Sequence, residues 1–266
     1  MYDAGVSHPD IAYNRVAHDR VASSYDSGHA EIFNEIEQGR LAHSVREALA
    51  LAPGSRVLDV GAGTGNLTRH LLAAGASVTA ADLSGGCLAV IARELPGVET
   101  TQLDGEGLRP FADASFDMVA CYSVLHHVPD YLALVREMAR VARPGGIIYL
   151  DHERTDESWT SPERAQFMEL ASPNPRPSWT RFLNPAAYWR RARRALWPRW
   201  MPEGDLHIWA DDHIEWKAIE AALAETGVTP QTVHDYLLFD PRYVAVVWDS
   251  WKDRITDYRT WIGRKQ

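Results

Sequence analysis

The chain predicts an α/β fold built on a mostly parallel, doubly wound sheet with helices on both faces. Two observations predict it. From Arg56 onward, short apolar runs alternate with amphipathic segments at the spacing of βαβ units. The first of these runs ends in Gly61-Ala62-Gly63-Thr64-Gly65, a turn from strand into helix. Residues 1–50 read as helical, with Ile11, Val16 and Val21 apolar among polar neighbours and a break around Ser23, Ser24, Asp26, Ser27 and Gly28. Strands are expected at 56–60, 77–82, 98–103, 116–122 and 147–150. Helices are expected between them at 66–74, 84–95 and 131–141, and Pro144-Gly145-Gly146 turns the chain into the fifth strand.

The alternation stops near Asp151. Residues 153–212 are rich in Pro, Trp and Arg and lack strand signals, as in Ser172-Pro173-Asn174-Pro175-Arg176-Pro177. Periodicity returns in a helix at 214–226, closed by Gly227. Two strand-like runs follow at 231–239 and 243–248, split by Asp240-Pro241-Arg242, and an antiparallel hairpin is expected there. The chain therefore divides into an N-terminal helical gate (1–50), a core (51–152), a cap insertion (153–212) and a completion of the core (213–266).

A chain of 266 residues can bury one sizeable core. Its formal net charge of -9 opposes general nucleic-acid binding, which needs a basic face. The two cysteines, Cys87 and Cys121, lie in apolar segments and fit a reducing compartment. With no secretory signal in the first residues and no run of about 18 apolar residues, a cytoplasmic protein is expected, with membrane contact disfavoured and the oligomeric state open.

The glycine loop is the first chemical signal. Glycines let backbone approach a ligand and adopt positive φ, and the helix start offers free amides to an anion. Such loops serve many nucleotide folds. Here the spacing is G-x-G-x-G, with Asn66 where a dinucleotide fingerprint would place its third glycine. Asp82 closes the second strand roughly 20 residues beyond the loop, where a carboxylate can bind both ribose hydroxyls. The competing reading makes Asp59 and Asp82 mere loop caps.

The combined motifs resemble the class I S-adenosylmethionine-dependent methyltransferase superfamily, close to the type 11 branch that includes ubiquinone and menaquinone methyltransferases. The resemblance rests on Val57-Leu58-Asp59-Val60-Gly61-Ala62-Gly63-Thr64-Gly65 and Val78-Thr79-Ala80-Ala81-Asp82-Leu83-Ser84. It extends through Leu103-Asp104-Gly105-Glu106, Pro110-Phe111-Ala112-Asp113-Ala114-Ser115-Phe116-Asp117, Ser123-Val124-Leu125-His126-His127-Val128 and Arg143-Pro144-Gly145-Gly146. It implies a Rossmann-like, seven-stranded, mostly parallel sheet with the last strand antiparallel and a helical cap insertion. It also implies S-adenosyl-L-methionine as cofactor and a small-molecule acceptor. By this resemblance, Gly61, Gly63 and Gly65 lie against the methionine part, and Asp59 steadies the loop. Asp82 holds the ribose, Asp104 takes the adenine amino group, Gly105 offers its amide and Leu83 packs on the ring. Tyr122 and Ser123 line the methionine amino group. Tyr25 resembles the family's N-terminal gate, although a plain helix-end aromatic reads equally well.

Methyl transfer from a sulfonium is an in-line displacement that mainly needs alignment, and only hydroxyl or carbon acceptors usually need a base. His126 and His127, just after the fourth strand, are candidate bases. Asp151-His152-Glu153 closes the fifth strand and adds His152 and Glu153 as catalytic candidates. The segment from His207 to His213 could supply metal ligands, but Asp211 or Asp212 reads better as a helix cap, so no metal is expected. In the insertion, Tyr188, Trp189, Ala192, Ala195 and Leu196 make one apolar face opposite Arg190, Arg191 and Arg194. A cap roofed by Trp159, Trp179 and Trp209 is expected there, suited to a bulky apolar or anionic small molecule. The competing function is a cofactor-binding protein without methyl transfer, which product formation with labelled cofactor would separate.

Overall fold

Side chains along the strands alternate between two apolar layers, and this alternation places every layer of the molecule. The computed structural model describes residues 9–22, 25–172, 189 and 213–266. Strands β1 (Arg56–Val60), β2 (Ser77–Asp82), β3 (Glu99–Gln102), β4 (Phe116–Tyr122), β5 (Ala142–Arg154), β6 (Val228–Tyr236) and β7 (Tyr258–Lys265) form one sheet in the order β3-β2-β1-β4-β5-β7-β6. β1 pairs in parallel with β2 and β4, β2 with β3, and β4 with β5, while β7 runs antiparallel to β5 and β6. The strand order reverses between β1 and β4, which opens a crevice outside their carboxyl ends.

Ahead of the sheet come α1 (Pro9–Val21), α2 (Tyr25–Gly28) and α3 (Glu35–Leu51). Leu41, Val45 and Ala48 of α3, with Leu67 and Leu71 of α4 (Asn66–Ala73), cover Val57, Met118, Ala120 and Tyr149 on one face. On the other, Val135 and Met138 of α6 (Tyr131–Val141) and Ile219 and Leu223 of α9 (Trp216–Glu225) cover Leu58, Val119, Cys121 and Leu150. α5 (Gly85–Glu94) packs Leu88 and Ile91 on Ala62 and Ala80. β4 is buried along its whole length, as expected of a strand covered on both faces.

The seven-stranded sheet and its antiparallel β7 agree with expectation, but the hairpin does not. Residues 243–248, read as a strand, belong instead to the approach to and body of helix α10 (Ala245–Trp251). Tyr243, Val247, Trp248 and Trp251 pack with Phe167 and Met168 of α8 (Pro162–Ala171), while Val246 is 77% exposed. A short β-branched run satisfies both the strand period and one helical face, and tertiary packing chose the helix. The last strand is formed later, around the buried Thr260, Trp261 and Ile262. β5 also runs past its expected end, so Asp151, His152 and Glu153 lie within it. Of the insertion, α7 (Glu157–Thr160) and α8 are described. Residues 173–188 and 190–212 lie outside the described residues, and with them the expected arginine-bearing helix, Trp179, Trp209 and His207.

Just beneath the carboxyl edge, a buried polar network joins α3 to the sheet. Arg40 Nη1 donates to both Asp151 oxygens at 3.1 Å, and its guanidinium lies 3.8 Å over the Tyr236 ring. Tyr149 and Thr260 also donate to Asp151, at 2.6 and 2.7 Å. Removing one member of a buried ion pair strands the other. Arg40→Met should therefore cost about 3 kcal/mol. In a chain of this size that lowers Tm by roughly 6–12 °C in a thermal melt.

Candidate functional site

The turn after β1 is held open by the neighbouring strand. The amides of Gly61 and Ala62 both donate to the Ala81 carbonyl, at 2.8 and 3.0 Å, and the Gly63 amide donates to Asp82 Oδ2 at 2.8 Å. Gly61, Gly63 and Gly65 all take positive φ. A Cβ on Gly61 would lie 2.5 Å from Val124 Cγ2, whereas one on Gly63 would meet nothing within 4 Å. Gly61 is thus required by packing, and Gly63 leaves a cradle at the cavity wall.

That wall belongs to a cavity of about 640 Å³ outside the carboxyl ends of β1, β2 and β4. Gly61, Gly63, Asp82, Leu83 and Gly105 line one side, and Tyr25, Tyr122, Ser123, Val124 and His127 line another. Asp82 accepts the Gly63 amide on one oxygen and the Ser84 amide, at 2.7 Å, on the other. Burial raises its pKa against the pull of these amides and of nearby His18. Asp59 sits deeper, fully buried, and accepts from Thr68 Oγ1 at 2.5 Å. Burial lifts its pKa to about 7, with the charge of Asp82 adding to the shift and Thr68 opposing it.

The β4 exit adjoins the glycine loop and makes a further part of the wall. Ser123 turns with φ 59°, and Leu125–His127 form one turn of 3-10 helix. Glu153, fully buried, accepts from the amides of Val124 and Leu125 at 2.8 and 2.7 Å and from His126 Nδ1 at 2.8 Å. His152 stacks between Tyr122 and Tyr258, with ring centroids at 4.7 and 4.6 Å. Its Nδ1 lies 3.0 Å from the Tyr122 hydroxyl, and burial with Arg40 nearby holds its pKa well below the ordinary value. His152 is therefore a neutral ring at physiological pH.

Of the four candidate bases, the cavity lining includes His127 and not His126, His152 or Glu153. Among the expected cofactor residues, Tyr25, Gly61, Gly63, Asp82, Leu83, Gly105, Tyr122 and Ser123 line it. Asp59 lies behind it, and Gly65 is the left-handed N-cap of α4. Asp104 is exposed outside the lining and accepts the Glu106 amide at 2.8 Å. Sequence reasoning missed the roof. Ile11, Asn14, Arg15 and His18 of α1 line the cavity, and their i, i+3, i+4, i+7 spacing was the available signal. Asp19 latches α1 down, accepting from Ser84 Oγ at 2.6 Å and the Gly86 amide at 2.9 Å. Among the described residues, no group of three or more His, Cys, Asp or Glu is placed to hold a metal ion, and no helix is long and apolar enough to cross a membrane.

With this geometry in place, residues 58–150 match the family model described as a methyltransferase domain. Over this segment the chain is similar to that domain. The chain is 38% identical over 170 residues to a demethylmenaquinone methyltransferase of Parafrankia sp., covering 57% of this chain and 66% of that protein. It is 48% identical over 105 residues to one of Mycolicibacterium vanbaalenii, covering 39% and 44% respectively. The chain thus spans less than two thirds of the length of these curated relatives. The fold of the chain is similar to that of the 1,6-didemethyltoxoflavin-N1-methyltransferase of Burkholderia thailandensis. That structure, solved with 1,6-didemethyltoxoflavin and S-adenosylhomocysteine, aligns with a TM-score of 0.55 at 19% identity over 99% of this chain and 93% of that one.

The raised Asp59 pKa ties the stability of the fold to pH. The native state binds this proton more tightly than the unfolded chain, so the group's stabilising contribution is complete below the ordinary value of 3.8 and is lost as pH rises through about 7. Asp59→Asn cannot ionise. Its Tm relative to the parent should rise between pH 5 and pH 8, measured by differential scanning calorimetry; a constant or falling difference contradicts the assignment.

Proposed function

We propose that the protein transfers a methyl group from S-adenosyl-L-methionine to a small-molecule acceptor inside the described cavity. The observation that carries this reading is the convergence of Gly61, Gly63, Asp82, Leu83 and Gly105 on one wall with His127 on another. The fit to the cofactor is chemical. The Gly63 cradle admits close approach of backbone to ligand, and the N-terminus of α4 suits a carboxylate. Each Asp82 oxygen accepts one amide and keeps acceptor capacity for a ribose hydroxyl. When bound, the cofactor supplies an electrophilic methyl on a sulfonium whose departure is neutral.

On this reading, Asp82 and Gly105 hold the nucleoside and Leu83 packs on the base. Gly61, Gly63, Tyr122 and Ser123 surround the methionine part, Gly65 shapes the helix start, and Asp59 supports the loop through Thr68. Ile11 and His18 roof the cavity and exclude water, which strengthens the electrostatics within. His127 receives the acceptor's proton where the acceptor has one to lose. His126, His152 and Glu153 act from behind the wall. Asp104 reaches the adenine only if its loop turns inward, so its role rests on the resemblance. Tyr25, 4.2 Å from the His29 ring and adjoining the Asp26–Thr64 contact, forms the gate at the entrance. The four-part division of the chain and a cytoplasmic setting belong to the same proposal.

S-adenosylhomocysteine should raise Tm by mass action, and nicotinamide dinucleotides should not. Asp82→Ala should weaken S-adenosylhomocysteine binding by more than about 1 kcal/mol, since two ribose hydroxyls lose their acceptor; unchanged calorimetric affinity refutes the ribose assignment. Transfer itself is tested with labelled cofactor and a panel of acceptors, beginning with reduced demethylmenaquinone because the curated relatives carry that name. Label in no organic product across aromatic hydroxyl, amine and carboxylate acceptors would count against methyl transfer.

A further inference from the structure

We infer that Glu153 is the positioning residue of this site, holding the turn that presents His127 to the cavity. The inference rests on the methyl-transfer reading only for what His127 does there. A 3-10 turn begins with amides that need acceptors, and a side chain just ahead of the turn usually supplies one. Leu125–His127 has Val124 at that place, with no side-chain cap. The cap arrives from another strand. Glu153 Oε1 accepts from the Val124 and Leu125 amides, and Oε2 accepts from His126 Nδ1, so one carboxylate binds three successive residues.

The sheet is bent to deliver it. The register of β5 against β7 shifts between Leu150 and Glu153, where His152 adopts φ 62°. Ser123, at the end of β4, adopts φ 59° and donates its amide to the Asp151 carbonyl at 2.9 Å. Two non-glycine residues in left-handed backbone, on adjacent strands at one edge, are an unfavourable local choice that surrounding structure must over-determine. Their effect is to bring Glu153 under the turn. The turn then sets two cavity-wall groups together: Val124, which Gly61 must admit, and His127, whose ring lies 4.0 Å from the His126 ring. Because Glu153 receives the His126 Nδ1 proton bond, it also fixes that imidazole's tautomer.

Glu153→Gln separates the two duties. The amide oxygen still accepts from the backbone, but its nitrogen cannot accept from His126 Nδ1. In 15N-edited NMR the His126 Nδ1–H signal should be lost, and the His127 ring signals should move. S-adenosylhomocysteine, used as the probe, should bind within roughly twofold of parent affinity, because the nucleoside wall is untouched. Unmoved His127 signals, or an affinity loss of roughly tenfold or more, overturn the inference. In the unaltered protein, the Val124 and Leu125 amides should be protected from hydrogen exchange, and rapid exchange there overturns it even if the variant does not fold. Where an acceptor is in hand, Glu153→Gln should lower kcat with little change in cofactor KM. It should add nothing on a His127→Gln background; a full additional loss there means that Glu153 does not act through His127. The NMR and exchange measurements need no acceptor, so they decide the role of Glu153 even if methyl transfer is not observed.

Discussion

The site depends on one carbonyl. Ala81, near the end of β2, accepts from two successive amides of the β1 turn, and Asp82 beside it accepts from a third. An ordinary strand end would leave these donors to water or to a local cap. Committing them to β2 curls the loop back across the sheet and leaves a concave face of backbone. It also requires left-handed backbone at Gly61 and Gly63, and at Gly61 a residue without a Cβ, because Val124 occupies that space. The glycines, the aspartate ending β2 and the valine after β4 are therefore parts of one constraint, although they lie far apart in the chain.

That explains why the core was legible in the sequence. Each of those positions carries a residue type with few alternative uses, and the strands between them read as continuous apolar runs. β1, β2 and β4 lie where their apolar runs predicted, and α6 follows from a strongly amphipathic stretch begun by Asp130, whose carboxylate accepts the Ala133 amide. Legibility failed where two periods coincide. Tyr243, Val244, Val246 and Val247 satisfy a strand on propensity, and only the hydrophobic partners waiting on α8 decide for a helix. It failed again where position comes from long-range contact. Nothing local to His18 announces that Asp19 will latch onto the start of α5 and carry the α1 face over Asp82.

The histidine-rich edge shows a third kind of illegibility. His126, His127, His152 and Glu153 have the composition of a catalytic cluster, and sequence alone cannot rank them. Burial does. His152 is enclosed by two tyrosine rings and kept neutral, Glu153 is consumed by three donors, and His126 is bound to Glu153. His127 alone of the four reaches the cavity lining. A chemically rich segment is thus mostly scaffolding for one ring.

The charges beneath this edge fit that division. Arg40, Asp151 and Glu37 form a buried chain, with Arg40 Nε donating to Glu37 at 2.9 Å and Glu37 accepting the Phe239 amide at 2.8 Å. Burial raises the Glu37 pKa, while Arg40 pulls it the other way. In buried ion pairs generally, apolar replacements of similar volume are often at least as stable. What they would not do is tie α3, β5, β7 and the segment after β6 to one point with directional bonds. Ser123 hangs from the Asp151 carbonyl, and the Asp151 carboxylate is the centre of that tie. The left-handed exit of β4 is therefore tied to the same residue that anchors α3, and the cavity wall hangs from a network whose own members, Arg40, Glu37 and Asp151, do not line the cavity.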